Sequence, residues 1–481
     1  MRLLLVFGVV GQLLRRFAWA FLVPSFFALV THDPRSCVMF LGCALVTFVT
    51  GWLLGRTYVH SPTVQRSEAM AVVAFAWLLV AAFAGLPYMI NGLSPWDAMF
   101  ESMSGLTTTG ATIFTDFSLH SPAVFLWRAM TQWFGGLGVI ALFVVVLPRL
   151  GIAGRQMFFA EASGASSEAI SPHIRDSAGR LWLLYSGLTG ALAGALIVAG
   201  MSPLDAVLHS LTTLAAGGFS PHPESIAGYH SASIEWVLIP FMFIAGTSFT
   251  LQYKFLSTGK VRVLRDAEWL FYGGVTVVAT IGLALVLGDG LPGEPEIRAA
   301  AFQAASLVSS TGFASTDYNL WADSARALLI VVMLSGGCAG SAAGGPKAIR
   351  YVLVFRHVWR EITGVLHPRA VVPVRYGGAP VPEGIMRAVF MLVVLYLGCI
   401  LVLGLGLVVL GADLVTGFSA ALACLGNIGP AFGPAGPMGS FAGFDPLSKC
   451  LLVFAMWIGR LEIVTVLALL HPHVWRSLRL R

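Results

Sequence analysis

A short helical segment ending in threonine and glycine constrains the fold of this chain more than any other feature. Its first copy begins with SPWDA at 94–98 and ends with TTTG at 107–110. Ser94 can cap a helix, Pro95 suits its first position and Asp97 suits the positive end of its dipole. Such a helix has about 12 residues and a length of roughly 18 Å, too short to cross a bilayer core of about 30 Å. An ordinary loop outside the membrane would explain one such copy.

The segment recurs, and its recurrence predicts the architecture. Further copies lie at 202–218, 294–312 and, more diverged, at 413–429. The second copy starts with SPLDA and has the same 13 positions from aspartate to glycine as the first. The terminal glycines, 108, 94 and 117 residues apart, are Gly110, Gly218, Gly312 and Gly429. Internal repeats of this kind predict a pseudo-symmetric ring of four units around one axis.

The composition is that of a polytopic membrane protein. Of 481 residues, 57% are hydrophobic and 11% charged, whereas about a quarter are charged in soluble domains. The net charge of +6 does not indicate a nucleic-acid partner, because the basic residues lie in short loops between apolar runs. The six cysteines form no CxxC pair and mostly lie in apolar runs, so we expect them to form no disulfide and to bind no metal. No nucleotide-binding motif is present, and we expect no organic cofactor. No HExxH or comparable motif indicates an enzyme.

Apolar runs predict ten crossings, since a crossing needs about 20 residues. The predicted fold is an all-α polytopic membrane protein with an N-terminal helix pair and four pseudo-symmetric repeats around a central pore. Each repeat comprises a first helix (M1), a pore helix, a filter loop and a second helix (M2). The spans are 3–30, 36–56, 68–91, 121–148, 179–201, 233–256, 267–290, 323–359, 385–411 and 446–470. The units are the pair at 1–60 and repeats at 61–155, 156–265, 266–365 and 366–481.

Lysine and arginine predict the orientation. Few basic residues lie beside the four loops: Arg128, Arg298 and Arg326. The opposite connections hold Arg149, Arg155, Arg175, Arg180, Lys254, Lys260, Arg262, Arg265, Lys347, Arg350, Arg356, Arg360, Arg369, Arg375, Arg387, Arg476, Arg479 and Arg481. The positive-inside rule places these residues and both termini in the cytoplasm, and the loops at the outer side. Each pore helix then directs its negative C-terminal end into the membrane, which favours a cation.

Converging loops of this composition would offer backbone carbonyls and hydroxyls, with no ring of carboxylates. Oxygen ligands without fixed charge suit a weakly hydrated monovalent cation better than a transition metal. Acidic residues near the outer mouth (Asp116, Glu224 and Asp317) would add attraction, although solvated loop carboxylates explain them as well. Asp97 and Glu101 could couple a second ion, but the helix N-terminus explains both. These residues indicate a monovalent-cation pore without distinguishing K⁺ from Na⁺.

Several motifs resemble those of the Trk/Ktr/HKT superfamily of potassium transporters. TTTGAT lies at 107–112, TQWFGGLG at 131–138, GGCAGS followed by a glycine pair and a lysine at 336–347, and MWIGRLE at 456–462. The resemblance covers essentially the whole chain. Within the superfamily the chain looks like the bacterial TrkH subunits, whose additional N-terminal helix pair matches the first two spans. The resemblance implies potassium transport across the bacterial inner membrane and no enzyme activity.

The resemblance also implies the residues of a K⁺ filter and a gate. The filter would bind K⁺ through Thr108, Thr109, Gly110, Ala216, Gly217, Gly218, Ser310, Thr311, Gly312, Asn427, Ile428 and Gly429. An intramembrane loop beneath it would be the gate, formed by Gly336, Gly337, Gly340, Ser341, Gly344, Gly345 and Lys347 together with Arg460. The chain departs from the family pattern at Ala342, commonly a hydroxylated residue, and at Pro346, commonly an aliphatic one.

The gate residues also have simpler interpretations. Repeated glycines at 336–345 disfavour a helix, although small residues also mediate helix packing in membranes. An arginine within a span is costly and usually faces the bundle interior, although one near a helix end extends to the cytosol. Arg460 lies about 16 Å before His471 along a helix, which favours the pore.

The preferred function is channel-like translocation of K⁺. The alternative is a symporter that couples H⁺ or Na⁺ to K⁺ or another small solute. The resemblance implies a TrkA-like cytoplasmic nucleotide-binding regulatory subunit and a homodimer within the bilayer. The basic face between Lys347 and Arg387 could dock that subunit, but the positive-inside distribution explains the same charges.

Overall fold

The computed structural model describes residues 2–57, 66–141, 174–260, 265–288 and 290–472. The β-structure in these ranges is a short antiparallel hairpin, in which Arg375–Tyr376 pairs with Ala379–Pro380. The remaining regular structure is helical. Some predictions fall outside the described residues: the cytoplasmic positions Arg149, Arg155, Arg262, Arg476, Arg479 and Arg481, and the unit boundaries at 60 and 155.

The all-α architecture of repeated helix–loop–helix units is confirmed. Repeat 1 contains Arg66–Ala84, Leu86–Ile90, the pore helix Pro95–Leu106 and Pro122–Ala141. Repeat 2 contains Ile174–Val198, the pore helix Pro203–Leu214, Ala232–Ala245 and Phe249–Thr258. Repeat 3 contains Ala267–Leu287, the pore helix Glu294–Val308, Asp323–Met333 and Ala348–Leu366. Repeat 4 contains Glu383–Val409, the pore helix Leu414–Leu425, Pro446–Leu461 and Ile463–Leu470.

The N-terminal helices pack closely through glycine. They are Leu3–Phe17, Leu22–Val30 and Pro34–Gly55, with a 3₁₀ turn at Ala18–Phe21. A Cβ on Gly11 would lie 2.4 Å from the backbone nitrogen of Gly55, so no side chain fits between these helices. Small residues are the usual means by which membrane helices approach each other. Phe21 stacks on Trp127 with ring centroids 4.3 Å apart, which packs this group against repeat 1.

The helices have the length and composition of a multi-pass membrane protein. In the described part of the chain, six helices are long and apolar enough to cross a membrane. The number is eight if each of two bent helix pairs counts as one span. Two of the ten predicted crossings are not in this set. The span at 121–148 is described only as far as Ala141, and that at 323–359 has no helix between Met333 and Ala348.

The prediction of one continuous span at 233–256 is wrong, because the chain bends by 101° after Ala245. A bend frees backbone carbonyls that a continuous helix would satisfy, and buried carbonyls need other donors. Gly246 O accepts a hydrogen bond from Cys338 N at 2.8 Å, and Ala245 O accepts one from Ala342 N at 3.3 Å. These donors lie in the glycine-rich loop of repeat 3, so the local apolar pattern does not indicate the bend.

The prediction of one continuous span at 446–470 is also wrong, because the chain bends by 112° at Glu462. Glu462 has a left-handed φ of 70°, which is uncommon for a residue other than glycine. Its carboxylate accepts a hydrogen bond from Arg350 Nη2 at 2.6 Å. This ion pair joins the bend to the first turn of the helix Ala348–Leu366, which follows the glycine-rich loop.

Three of the four pore helices begin with a side-chain cap, including the predicted cap at Ser94. Ser94 Oγ accepts a hydrogen bond from Asp97 N, and Ser202 Oγ accepts one from Asp205 N, both at 3.2 Å. In repeat 4, the Asp413 carboxylate caps its own pore helix in the same way. These caps fix where each short helix starts and therefore where its C-terminal end meets the following loop.

Candidate ion-conducting site

The loops that follow the four pore helices share one backbone conformation. Two residues before each terminal glycine, a left-handed φ of 50–55° occurs at Thr108, Ala216, Ser310 and Asn427. The next residue donates its N–H to a carbonyl of its own pore helix at 2.8–2.9 Å: Thr109 to Ser104, Gly217 to Thr212, Thr311 to Ser306 and Ile428 to Ala423. The fourth loop, diverged in sequence, therefore has the same conformation as the other three.

The terminal glycines form a closed ring of contacts. A Cβ atom added to any of these glycines would lie within 2.4 Å of a carbonyl oxygen of the next loop. The distances are 2.1 Å from Gly110 to Gly217 O, 2.0 Å from Gly218 to Thr311 O, 1.9 Å from Gly312 to Ile428 O and 2.4 Å from Gly429 to Thr109 O. Each loop thus touches the next, and the fourth touches the first. Their φ values of 77–103° also require glycine. The structure therefore brings together the predicted filter residues: Thr108, Thr109, Gly110, Ala216, Gly217, Gly218, Ser310, Thr311, Gly312, Asn427, Ile428 and Gly429.

Side chains tie neighbouring loops to each other. The hydroxyls of Thr107 and Thr109 lie 2.8 Å apart in repeat 1. Asn427 replaces the threonine in repeat 4, and its Nδ2 donates to Thr109 Oγ1 at 3.0 Å. Gln132, on the helix Pro122–Ala141 of repeat 1, donates a hydrogen bond from Nε2 to Gly217 O at 2.6 Å. Because a carbonyl has two lone pairs, Gly217 O keeps one that can face an ion.

A buried ion pair supports the outer ends of the first two loops. Arg128 Nε donates to Glu101 Oε1 at 2.8 Å, and Glu101 Oε2 accepts from Ile113 N at 2.8 Å. Arg128 Nη1 also donates to Ser220 O, at 3.0 Å, and so reaches the loop of repeat 2. Our explanation of Glu101 by the helix N-terminus is therefore wrong. The residue lies in the second half of its helix, and its partner is an arginine 27 positions away that no local pattern indicates.

Removal of the Glu101 carboxylate is expected to destabilise the protein, because Arg128 would remain buried without a counter-ion. Breaking a buried pair in this way costs about 3–5 kcal/mol. The variant Glu101→Ala should therefore unfold at a clearly lower temperature in detergent, as followed by tryptophan fluorescence. Glu224→Ala, at an exposed loop position, should change stability by less than about 0.5 kcal/mol. Equal melting temperatures for the two variants would contradict a structural role for the pair.

The pseudo-symmetry does not extend to the side chains behind the loops. Nine positions before the terminal glycine, repeats 1 to 4 have Glu101, His209, Gln303 and Ala420. The His209 ring lies 3.2 Å from Ser220 Oγ and 2.8 Å from Asp205 O, so it packs between its own pore helix and the loop that follows. The Gln303 amide has no hydrogen-bond partner among the residues that the structure describes. The four repeats therefore place different chemistry at this equivalent position behind their loops.

The glycine-rich segment from Gly336 to Lys347 is a non-helical loop, as its glycines predict. Left-handed φ values of 67–71° occur at Gly336, Gly340 and Gly345. Glu268 was not singled out by the sequence, yet its Oε1 accepts hydrogen bonds from Ala339 N at 2.6 Å and Ile349 N at 3.1 Å. One carboxylate thus holds both the loop and the helix after it. The predicted gate residues Gly336, Gly337, Gly340, Ser341, Gly344, Gly345 and Lys347 all lie in this loop.

Arg460 is a buried cation next to this loop, with 8% of its surface exposed. Its Nη1 donates to Ala342 O at 3.0 Å and its Nη2 to Gly135 O at 3.2 Å. The argument from an 11-residue helical distance to His471 is wrong, since the helix ends at Leu461. Burial and carbonyl partners, rather than that distance, place Arg460 inside the protein.

A cavity opens on the other side of the glycine ring. Its lining includes Gly110, Gly218, Gly312, Arg128 and Phe441. Of the acidic residues expected near the outer mouth, Asp116 accepts hydrogen bonds from the N–H and hydroxyl of Ser118, which lower its pKa. Asp317 caps Asn319 N in the equivalent turn of repeat 3. The structure therefore gives these two carboxylates the simpler role of turn caps.

The geometry defines a class of membrane protein in which four pore helices direct their loops to one ring. A family model described as TrkH, cation transport protein, matches residues 36–474. The chain belongs to this family.

Individual relatives match over nearly the full length. The Trk system potassium uptake protein TrkH of Halomonas elongata is 35% identical over 490 residues, covering 99% of this chain and all of that protein. The protein of the same name from Escherichia coli K12 is 34% identical over 482 residues, with 98% of each chain covered. The crystal structure of the potassium transporter TrkH from Vibrio parahaemolyticus superposes with a TM-score of 0.89 at 32% identity, covering 99% of this chain and all of that one. The fold and relatives are those of transporters rather than enzymes.

Proposed function

We propose that this chain conducts K⁺ across the bacterial inner membrane through a pore whose selectivity filter is the ring of four loops. The observation that carries the proposal is the closed series of glycine–carbonyl contacts around one axis. Backbone carbonyls held in such a ring can replace the hydration shell of an alkali cation. The negative ends of four pore helices add favourable potential for a cation. The matched relatives are named as potassium uptake proteins, which supports K⁺ as the transported ion and as the ion bound at the filter.

The glycine-rich loop and Arg460 are proposed as the gate. The loop lies against the base of the fourth filter loop, since a Cβ on Gly344 would come within 2.3 Å of Gly426 O. Arg460 adds a positive charge beside it, and its hydrogen-bond partners within the described residues are carbonyls rather than carboxylates. A cation leaving the filter would meet this charge in surroundings of low dielectric constant, where repulsion is strong. Movement of the loop together with Arg460 would open the pathway.

A channel-like mode is favoured over ion-coupled symport by the ion pairing of Glu101. Glu101, the acidic side chain behind the first filter loop, is neutralised by Arg128. No group of three or more His, Cys, Asp or Glu residues that could hold a coupling metal ion occurs in the described part of the chain. A proton or Na⁺ relay through Glu101 would first have to break its ion pair.

We further propose that the chain assembles with a regulatory subunit and with a second copy of itself. The name "Trk system" of the relatives supports a TrkA-like cytoplasmic regulatory subunit that binds nucleotide. The proposed assembly is a homodimer whose N- and C-termini lie in the cytoplasm. The basic residues of the helix Ala348–Leu366 and the following hairpin, among them Arg356, Arg360 and Arg375, would then face this subunit.

Flux measurements on the purified chain in proteoliposomes test the mode of transport. With K⁺ on both sides, we expect currents that reverse at the Nernst potential of K⁺. With Rb⁺, Na⁺ or Li⁺ replacing K⁺ outside, we expect inward current from Rb⁺ and little from Na⁺ or Li⁺. Imposed H⁺ and Na⁺ gradients should leave the reversal potential unchanged. Protein-free vesicles provide the background. Accumulation of K⁺ against its gradient at a fixed ratio to H⁺ or Na⁺ would contradict the channel mode and support the symporter.

A further inference from the structure

A filter side chain is hydrogen-bonded to the glycine-rich loop in repeat 3. Gly344 N donates to Ser310 Oγ at 2.6 Å, and both residues are buried. Gly344 also packs on Gly426 O of repeat 4, with no room for a side chain. The loop therefore meets two filter loops at one residue, through a hydrogen bond to one and a close backbone contact with the other.

The Ser310 hydroxyl is not needed for the backbone shape of the filter. Repeat 2 has Ala216 at the same position, with a φ of 52° against 55° for Ser310. Repeat 1 has Thr108, whose hydroxyl has no hydrogen-bond partner within the described residues. What distinguishes Ser310 from these counterparts is the loop amide that its side chain binds.

We propose that Ser310 is a positioning residue that couples the glycine-rich loop to the filter. Its hydroxyl holds Gly344 against the filter base, and the loop leaves this position only when the hydrogen bond breaks. Arg460 binds the carbonyl of Ala342, two residues earlier, so the two side chains hold the same stretch of loop from different repeats. This inference rests on the proposed function of the loop as a gate.

Single-channel recording of the full-length chain in planar bilayers tests the coupling. Ser310→Ala should raise the ratio of open to closed times by roughly 2- to 12-fold, the range set by the net contribution of one hydrogen bond. The K⁺/Na⁺ reversal potential is recorded in the same experiment, because Ser310 lies in the filter loop and an effect on the ion pathway itself would appear there. Ser310→Thr keeps a hydroxyl, and Thr108 has the same conformation, so this variant should keep the open fraction low.

A matched control is available next to the loop. Ser335 Oγ donates within its own turn to Val332 O at 2.7 Å, so Ser335→Ala removes a hydroxyl without touching the filter contact and should not raise the open fraction. If Ser310→Ala does not fold, Ser310→Cys replaces the oxygen by a weaker acceptor and should raise the open fraction by a smaller factor.

Three outcomes separate the possibilities. An open fraction in Ser310→Ala or Ser310→Cys equal to that of the wild type overturns the coupling. A shifted reversal potential with an unchanged open fraction overturns it as well, since the hydroxyl would then act on the ion pathway itself. Wild-type protein that carries no K⁺-selective current contradicts the proposed function instead, whatever the variants do.

Discussion

Replacement of Gly312 by serine is expected to abolish the preference for K⁺ over Na⁺. Gly312 has a φ of 80°, and a Cβ there would lie 1.9 Å from Ile428 O. The serine side chain must therefore displace a carbonyl of the adjacent loop or distort its own. A filter discriminates between ions by the number and placement of its carbonyls, and a tenfold preference corresponds to only about 1.4 kcal/mol. A small displacement is thus enough to remove it.

The measurement is the bi-ionic reversal potential of Gly312→Ser with K⁺ on one side of the bilayer and Na⁺ on the other. We expect it to move close to zero or the current to be lost. Gly274→Ser is the matched control, since Gly274 lies in a helix of the same repeat and no atom lies within 4 Å of its added Cβ. If Gly312→Ser has the same reversal potential as the wild type, the assignment of Gly312 to the filter is contradicted.

Arg460→Ala is expected to increase K⁺ flux by at least about tenfold. A unit charge repels a cation about 10 Å away by roughly 1.7 kcal/mol at an effective dielectric constant of 20, which corresponds to more than a tenfold change. The substitution removes this repulsion. It also removes the hydrogen bonds to Ala342 O and Gly135 O, so the loop loses one of its contacts.

Uptake of ⁸⁶Rb⁺ into proteoliposomes, normalised to the amount of reconstituted protein, measures this effect. Arg460→Lys keeps the charge while losing the two-pronged contact, so it should lie much closer to the wild type than Arg460→Ala does. Slower or unaltered uptake by well-folded Arg460→Ala would contradict a position of Arg460 in the ion pathway.

The repeat pattern predicts much of this fold because its signals are local. The serine and proline that start the first two pore helices, and the glycines that end all four loops, act within about one helical turn of themselves. The fourth loop, Asn427-Ile428-Gly429, is recognised from the sequence only as a diverged copy, and its backbone matches the other three.

Features that depend on long-range partners are not predictable in this way. The bend after Ala245 is stabilised by donors from Cys338 and Ala342, and the bend at Glu462 by Arg350. The same limitation hides the pairing of Arg128 with Glu101, since charge and spacing identify each residue but not its partner. Hydropathy counts apolar residues and is insensitive to a break in which the freed carbonyls find donors elsewhere.

The position of Arg460 illustrates what the sequence can and cannot predict. The cost of an intramembrane charge correctly indicates a buried residue with polar partners. The distance argument fails because the helix ends one residue later, at Leu461. The location is decided by carbonyls of Ala342 and Gly135, which belong to two other repeats.

Anomalous diffraction from crystals grown in Rb⁺ tests the central claim most directly. The account predicts an anomalous peak on the axis enclosed by Gly110, Gly218, Gly312 and Gly429, within about 3 Å of main-chain carbonyl oxygens from all four loops. Exchange of Rb⁺ for Na⁺ should remove the peak. A ring without a peak, with Rb⁺ bound at carboxylates elsewhere in the protein, would contradict the account.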